Sequence, residues 1–332
     1  MNTRVFLTID TEFTIGGAFR DPDRRRPVGA RSVRCPTREG QAGLGFVLDT
    51  LEDHGLRATF FIETLQTAWF GDGPMGAIAA DIRARGHDAQ LHLHPVWTWF
   101  DAPAWRARLA DGRPNDDADG RSPAELIAWI RRGQSAFSRW GLPPPVALRT
   151  GNLRADRSVY QAMAACGLCI ASNVGRGLHE PRDPALRLDA GIHRIGGVLE
   201  LPVLSYAERA LPGRPRAKCL TVAGASFAET RFLLERAHEA GAPAVVLLTH
   251  CHEFARGDPA GELRPNPTSQ RRLRALCRYL ATARRRFRVS TLGELAQERP
   301  APAAAAALSV PARLAWPRMI ANRLADIGCP GC

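Results

Sequence analysis

Residues 45–63 read GFVLDTLEDHGLRATFFIE, an amphipathic segment that ends at a glycine and is followed by an apolar run. The helical spacing of its apolar residues predicts a helix over 45–55, and RATFFIE predicts a buried strand over 57–63. An earlier apolar run, RVFLTID at 4–10, predicts a strand ahead of them. This strand–helix–strand order favours parallel strands with helices packed outside the sheet.

The same alternation continues along the chain to residue 292. Further strands are predicted at 89–94, 146–150, 168–173, 198–203, 244–250 and 287–292. Further helices are predicted near 76–85 and at 122–141 (with Ser122 as its cap), 158–167, 227–241 and 269–286. The sequence therefore predicts an α/β protein, built either as a barrel or as a doubly wound sheet.

The alternation of predicted strands and helices stops after residue 299, where the chain becomes rich in alanine and proline. The segment 300–332 begins PAPAAAAA and predicts a linker followed by a short amphipathic helix. We therefore expect one domain over 1–299 and a tail over 300–332. A chain of 332 residues is long enough to bury a sizeable core in such a domain.

The composition is that of a globular protein, with 45% hydrophobic residues and a formal net charge of +12. Such a charge attracts anions, although an excess of arginine also fits a GC-rich genome. No zinc-finger or helix-turn-helix pattern is present, so we expect no nucleic-acid partner. We recognise neither a signal peptide nor a transmembrane run, and we expect a cytoplasmic protein.

Eight cysteines include two CxxC pairs, Cys166/Cys169 and Cys329/Cys332. The first pair lies in a helical pattern, where cysteine usually acts as a small apolar residue. The second pair ends the tail and is either a redox or metal-binding element or without function. A zinc site made by all four thiolates is an alternative that the spacing alone does not exclude.

Polar residues end two of the predicted strands where apolar ones are expected. Asp10 and Glu12 close the first strand, and alternation places both on one side of it. His92 and His94 share one side of the strand 89–94, an arrangement that commonly holds a divalent metal ion. His87 precedes that strand after a helix-ending glycine, and we expect it to be structural.

Two further strands end in Arg149 and His250. A buried guanidinium must be paired, and a carboxylate at the end of the first strand is its natural partner. A histidine at a strand end can protonate a leaving group. Loops at 16–40, rich in arginine, and 101–121, rich in aspartate and glycine, follow strands of this set, and such loops build the active face of α/β proteins.

Taken together, these motifs resemble the polysaccharide deacetylase family, carbohydrate esterase family 4. The resemblance rests on TxDxE at 8–12, ATFF at 58–61, GHD at 86–88 with a histidine beyond, the strand ending in Arg149, and LLTH at 247–250. It runs from about residue 3 to about residue 297, where FRVSTLGELA is similar to the closing strand and helix of the family. All of these motifs occur in the family's order.

The resemblance implies a distorted (β/α) barrel in which a metal-activated water removes an N-acetyl group from an amino sugar. It implies that Asp10 is the base, that Arg149 orients the base, and that His250 is the general acid. The implied ligands of a divalent metal, zinc or else cobalt or iron, are Glu12, His92 and His94.

Two positions depart from the family's usual pattern. Thr11 stands where the family has a second aspartate, which makes Glu12 the candidate carboxylate ligand. Val96 stands where the family has its second histidine, so His94 would have to substitute for it. We therefore expect a divergent branch, with an HLHP arrangement in its second motif.

Other functions stay open at this point. Relatives that lack the usual ligands hydrolyse cyclic amides or imides, in some cases without metal. A carbohydrate-binding protein that keeps only the barrel is a third possibility, against which the joint presence of Asp10, Arg149 and His250 speaks. The arginine-rich loop favours an anionic sugar substrate, phosphate- or nucleotide-linked, or is simply a solvated loop.

Overall fold

The structure, a computed structural model, describes residues 2–209, 215–257 and 261–327. Seven parallel strands follow one another across its main sheet: β1 (Thr3–Thr11), β2 (Thr59–Glu63), β3 (Asp88–Leu93), β4 (Ala147–Thr150), β5 (Ile170–Ala171), β6 (Val198–Glu200) and β7 (Ala244–His250). Their order in space is β7-β1-β2-β3-β4-β5-β6. Neighbouring strands are thus mostly consecutive in the chain, as in a (β/α) barrel.

The two ends of the sheet meet and close the barrel. Beyond β6, Val203 forms a parallel bridge with Val246 of β7, and the amide of Leu204 donates to the carbonyl of Val246 at 2.9 Å. A second bridge joins Thr221 to Leu248. Single bridges replace a regular ladder at this seam, so the predicted α/β fold is confirmed as a distorted barrel and not as a doubly wound sheet.

Helices connect the strands on the outside of the barrel. The longer ones are α1 (Leu44–Asp53), α2 (Gly73–Ala84), α3 (Pro123–Arg139), α4 (Arg157–Ala165), α5 (Phe227–Glu239), α6 (Pro267–Thr282), α7 (Leu292–Glu298) and α8 (Ala312–Ile327). Shorter helical turns lie at Arg31–Arg34, Thr67–Phe70, Pro95–Asp101, Arg108–Asp111, Gly151–Leu153, Pro184–Leu186 and Cys251–Phe254. No described helix is both long and apolar enough to cross a lipid bilayer.

Short strands extend the sheet or form small hairpins. Gly191–Ile195 runs antiparallel to β6, and Phe287–Val289 pairs with β1. The remaining pairs are Ser205–Arg209 with Arg216–Cys219, Ala255–Gly257 with Leu263–Pro265, and Pro36–Thr37 with Gly40–Gln41.

Alternation along the strands separates two cores. Val5 and Leu7 of β1 pack in the large core between sheet and helices, whereas Phe6 packs in the smaller core inside the barrel. The same inner core contains Phe61 of β2 and Leu248 of β7. Because side chains alternate along a strand, the residues two positions beyond Phe61 and Leu248, and four beyond Phe6, also point into the barrel, near its carboxyl end.

The tail beyond residue 299 lies against the barrel. Ala303–Ala304 pairs with Gly191–Ile195, Leu308–Pro311 pairs with Ser205–Arg209, and helix α8 follows. The boundary at 299/300 stays a prediction. Cys166 and Cys169 are free thiols, while Cys329 and Cys332 lie outside the described residues, so the proposed four-thiolate zinc site is untested.

Candidate metal and catalytic site

The polar strand ends predicted from the sequence meet inside the barrel. Asp10, Arg149 and His250 continue the inward-facing rows of β1, β4 and β7. His92 lies on β3, directly beside Arg149 in the register of β3 and β4. Because all these strands are parallel, their carboxyl ends lie at one mouth of the barrel, and the side chains converge there.

Glu12, His92 and His94 form a compact group. One ligand atom from each residue lies within 4.8 Å of the other two. The Glu12 Oε2 atom is 3.1 Å from His92 Nε2 and 2.5 Å from His94 Nε2. The two imidazole rings are 4.8 Å apart and nearly perpendicular. Strand alternation therefore predicted correctly that the two histidines lie together.

The histidines are oriented through their Nδ1 atoms. His92 Nδ1 lies 2.8 Å from the carbonyl oxygen of Arg149, to which it donates, and its Nε2 is left facing Glu12. His94 Nδ1 lies 2.6 Å from Asp116 Oδ2. A carbonyl or carboxylate on the outer nitrogen is the usual arrangement around metal-binding histidines.

Asp10 is held by Arg149, the partner that the sequence predicted. The Arg149 Nη1 atom donates to Asp10 Oδ1 at 2.7 Å, and both side chains are almost fully buried. Ser172 fixes the rest of the guanidinium, accepting at its carbonyl and hydroxyl oxygens, and the Phe61 ring lies 4.3 Å from it. The other carboxylate oxygen of Asp10 is thereby left towards the mouth of the barrel.

His250 approaches Asp10 from the opposite side to His92. Its Nε2 atom is 3.9 Å from Asp10 Oδ2, and its Nδ1 is 3.3 Å from Glu253 Oε1. Burial lowers the pKa of His250, but Glu253 and Asp10 outweigh it and raise the pKa to about 9. The imidazole is therefore protonated at neutral pH and can donate a proton.

Opposite charges hold the metal-ligand group together. Burial raises the pKa of Glu12, yet His94 and His92 outweigh it and keep that pKa well below its usual value. Burial lowers the pKa of His94, but Glu12 and Asp116 raise it well above the ordinary range. A carboxylate faces two imidazoles here, which is an oxygen–nitrogen donor set suited to a divalent cation.

Three carboxylates of the site were given no role from the sequence. Asp116 belongs to the 101–121 loop, which was expected at the active face, but its contact with His94 depends on the folded loop. Glu253 follows the strand that ends in His250. Glu63 ends β2, so the rule that selected the other strand ends applies to it. Burial raises the pKa of Glu63 to about 7, and its carboxylate accepts from the amide of His94.

A pocket of about 590 Å³ opens beside Glu12 and His94. Its walls include the apolar side chains of Phe13, Ile15, Val28, Val96, Trp97 and Leu263. Trp97 is buried and packs on Phe70 and Phe100. The aromatic residues that follow His94 therefore cover this end of the barrel. Of the seven arginines in the 16–40 loop, only Arg31 lines the pocket, and Arg256 joins it from a hairpin beyond His250.

No model of a known protein family matches this sequence, and no curated protein is similar enough to count as a relative. Solved structures do match. A provisionally named polysaccharide deacetylase from Mycobacterium smegmatis is 17% identical, with 90% of each chain covered and a TM-score of 0.54. A family 4 carbohydrate esterase from Streptomyces lividans, in complex with acetate, is 14% identical over 92% of this chain and 98% of that chain, with a TM-score of 0.43.

The likeness to the M. smegmatis structure fixes the class of fold. The chain has the distorted (β/α) barrel of the polysaccharide deacetylase type, as the sequence motifs predicted. At 17% identity the comparison supports only the fold. The chemistry of the site therefore rests on the side chains of this chain.

Proposed function

We propose that the chain is a metal-dependent hydrolase that removes an N-acetyl group from an amino sugar or a polysaccharide precursor. The observation that carries the proposal is the convergence of a three-ligand group with a buried acid–arginine pair and a protonated histidine. Glu12 lies between His92 and His94, and Asp10 is within 3.9 Å of both His92 and His250. Amide hydrolysis needs these three components: a metal ion, a base and an acid.

The donor set fits a divalent metal, with zinc favoured. Two imidazole nitrogens and one carboxylate oxygen are the ligands of many catalytic zinc sites, which keep a further coordination position open. The Nδ1 atoms of His92 and His94 are already used by Arg149 and Asp116, which leaves both Nε2 atoms towards the carboxylate of Glu12. When bound, such an ion polarises the amide carbonyl and acidifies a water molecule.

Asp10 is the group that accepts the proton of the attacking water. Arg149 occupies its Oδ1 atom, so Oδ2 is the oxygen that remains for proton transfer. Burial of this pair excludes bulk water, and the fixed guanidinium keeps the carboxylate in one orientation.

His250 is the group that donates a proton to the leaving amine. It faces Asp10 across the mouth of the barrel and is charged at neutral pH because of Glu253. Base and acid therefore stand on neighbouring strands, β1 and β7, where Asp10 is the register partner of His250.

The substrate carries an anionic group in this proposal. Arg31 and Arg256 line the pocket beside Glu12, both are exposed, and neither forms an ion pair with any described residue. Free guanidinium groups bind phosphate or carboxylate with bidentate geometry. A phosphate-linked or nucleotide-linked N-acetylamino sugar meets this requirement.

Acetate release from a panel of N-acetylamino sugars tests the activity. Asp10→Asn should abolish release while the metal content stays normal, because the base is lost but the ligands remain. Asp53→Asn is the matched control, since Asp53 is an exposed carboxylate on α1 that is not among the site residues. Full activity of Asp10→Asn, or activity that survives complete removal of metal by a chelator, contradicts the proposal.

The same assay tests substrate charge when neutral and phosphorylated N-acetyl sugars are compared. Arg31→Gln and Arg256→Gln should each lower kcat/KM for the phosphorylated sugar by about tenfold and leave the neutral sugar unchanged. Arg24→Gln, in the same loop but outside the pocket, is the control. An equal effect of all three substitutions, or none, contradicts an anionic substrate.

A further inference from the structure

A second, larger cavity lies at the end of the barrel opposite the candidate site. Its volume is about 1070 Å³, against about 590 Å³ for the pocket beside Glu12. Residues at the amino ends of the strands line it, including Asp88 at the start of β3, Val146 before β4 and Cys169 before β5. The proposed hydrolysis uses the carboxyl ends only, so this cavity has no part in it.

The cavity is rich in arginine. Four guanidinium side chains line it, and two carboxylates oppose them: Arg57, Arg83, Arg194 and Arg299, against Asp88 and Glu294. Both carboxylates already have partners within the protein. Glu294 pairs with Arg57, and Asp88 accepts from the hydroxyl of Thr59 and the amide of Gly293, each at 3.0 Å.

Two of the arginines have no acidic partner. Arg194 and Arg299 are exposed on the cavity wall and form no ion pair within the described part of the chain. Arg83 donates to the carbonyl oxygen of His87 at 2.9 Å. Burial raises the pKa of Asp88, and the charge of Arg83 acts against that rise. Because four guanidinium groups face only two carboxylates here, the cavity has a net positive charge, which favours an anion.

His87 supplies an observation that is independent of charge. It lines the cavity, is 1% exposed, and its Nδ1 atom accepts from the amide of Ala58 at 3.4 Å. The proton therefore sits on Nε2, which has no hydrogen-bond partner among the described residues. Burial lowers the pKa of His87 to about 4, so the ring is neutral and offers this N–H as a donor. An unpaired buried donor favours a ligand with acceptor oxygens.

Part of the wall is apolar. Pro143, Pro144, Val146, Ile170 and Leu199 line the cavity beside the arginines. A volume of this size exceeds what an inorganic ion needs and matches the pockets that hold small organic ligands.

We propose that this cavity binds a phosphorylated small molecule, with its phosphate on Arg194 and Arg299 and its organic part on the apolar wall. Arginine suits this role because its planar fork binds two phosphate oxygens at once. The site is separate from the candidate catalytic site, so binding here needs neither the metal nor the substrate of the proposed hydrolysis.

Calorimetric titration of the whole chain with inorganic pyrophosphate, ADP and adenosine tests the proposal. At physiological ionic strength, pyrophosphate and ADP should each bind at one saturable site, and ADP should bind more tightly because it also covers the apolar wall. Adenosine, which lacks phosphate, should bind at least tenfold more weakly than ADP. Arg194→Gln and Arg299→Gln should each weaken ADP binding by about tenfold.

The matched control is Arg278→Gln, which removes the same charge from the exposed face of α6, outside the cavity. It should leave ADP binding unchanged, and circular dichroism should show that all three variants are folded. The proposal is wrong if neither phosphate compound binds saturably or if Arg278→Gln weakens ADP binding as much as the cavity variants. It is also wrong if Arg31→Gln abolishes binding, because the ligand would then occupy the pocket beside Glu12.

Discussion

The three histidines of the site are each held through Nδ1, so that Nε2 is left for chemistry. Their partners are the carbonyl of Arg149 for His92, Asp116 for His94 and Glu253 for His250. Arg149 and Asp116 orient the two proposed metal ligands, and Glu253 orients the proposed acid; the carboxylates of Asp116 and Glu253 also raise the pKa of the histidine that each contacts.

The charge on His250 gives a pH prediction. Because its pKa is raised to about 9, its protonated form is present at neutral pH and is lost as the pH rises through that value. We expect kcat/KM for N-acetyl sugars to fall above about pH 9. Glu253→Gln removes a carboxylate that raises this pKa, so the basic limb should move to lower pH.

The pH dependence of kcat/KM for the wild type and Glu253→Gln measures this shift. Glu262→Gln, on an exposed carboxylate of a nearby hairpin, is the control and should leave the limb in place. An unchanged limb in Glu253→Gln would show that His250 is not the group that titrates.

The sequence predicted the site's residues better than their partners. Alternation on a strand is local, so it placed His92 beside His94, and the need to pair a buried guanidinium indicated a carboxylate of the first strand as the partner of Arg149. The contact between Asp116 and His94 joins a loop to a strand end, and no local pattern predicts which loop residue arrives there. Glu63 is an acidic residue at the end of a buried strand, the pattern by which the other candidate site residues were chosen. It could therefore have been predicted as a site residue from the sequence.

The segment that follows β4 sets the position of His94. Gly151 packs so closely that an added Cβ would lie 2.4 Å from His94 Nδ1. The next residue, Asn152, adopts a positive φ of 56° and donates to Asp116 at 2.9 Å. This turn therefore supports both the imidazole and the carboxylate that orients it, without offering a ligand itself.

Gly151→Ala should displace His94 and weaken metal binding by at least about tenfold, the usual effect of disturbing groups around a metal ligand. Competition with a chromogenic chelator measures the affinity. Gly73→Ala is the control, because a Cβ at Gly73 meets nothing within 4 Å. Equal affinities of the two variants would mean that His94 is free to move or does not bind the metal.

Among the secondary-structure elements, those with local signals were predicted well. Helix α3 begins at the predicted cap, Ser122, which accepts from the amide of Glu125, and β7 has the predicted bounds. Helix α6 ends at Thr282, four residues before the prediction, where the arginine-rich end leaves the apolar pattern. The short strands at 191–195, 205–209 and 216–219 were not predicted, although each pairs with a segment close to it in the chain, 191–195 with β6 and 205–209 with 216–219.

At the scale of the whole molecule, the tail contributes a buried ion cluster. Arg318 of α8 is 7% exposed, and its Nε donates to Glu229 of α5 at 3.0 Å. The same guanidinium pairs with Glu208. Loss of Arg318 would leave two buried carboxylates without their main cation, which is costly in a low-dielectric interior.

Arg318→Leu should therefore lower the free energy of unfolding by about 3–5 kcal/mol, the usual cost of removing one partner of a buried ion pair. Urea denaturation measures this change. Arg313→Leu, at an exposed position of the same helix, should change it by less than about 0.5 kcal/mol. If both variants unfold like the wild type, the tail is not part of the folded unit, and the 299/300 boundary separates independent parts.

Metal titration of the apo-protein tests the central claim most directly, because every assigned role depends on a metal held by Glu12, His92 and His94. Zinc titrated into the wild type should bind at one site per chain, and the His92→Ala variant should lose that site. His54→Ala, which alters a histidine on the outer surface after α1, should bind like the wild type. A wild type that binds no zinc, or a His92→Ala variant that binds it equally well, would contradict the account.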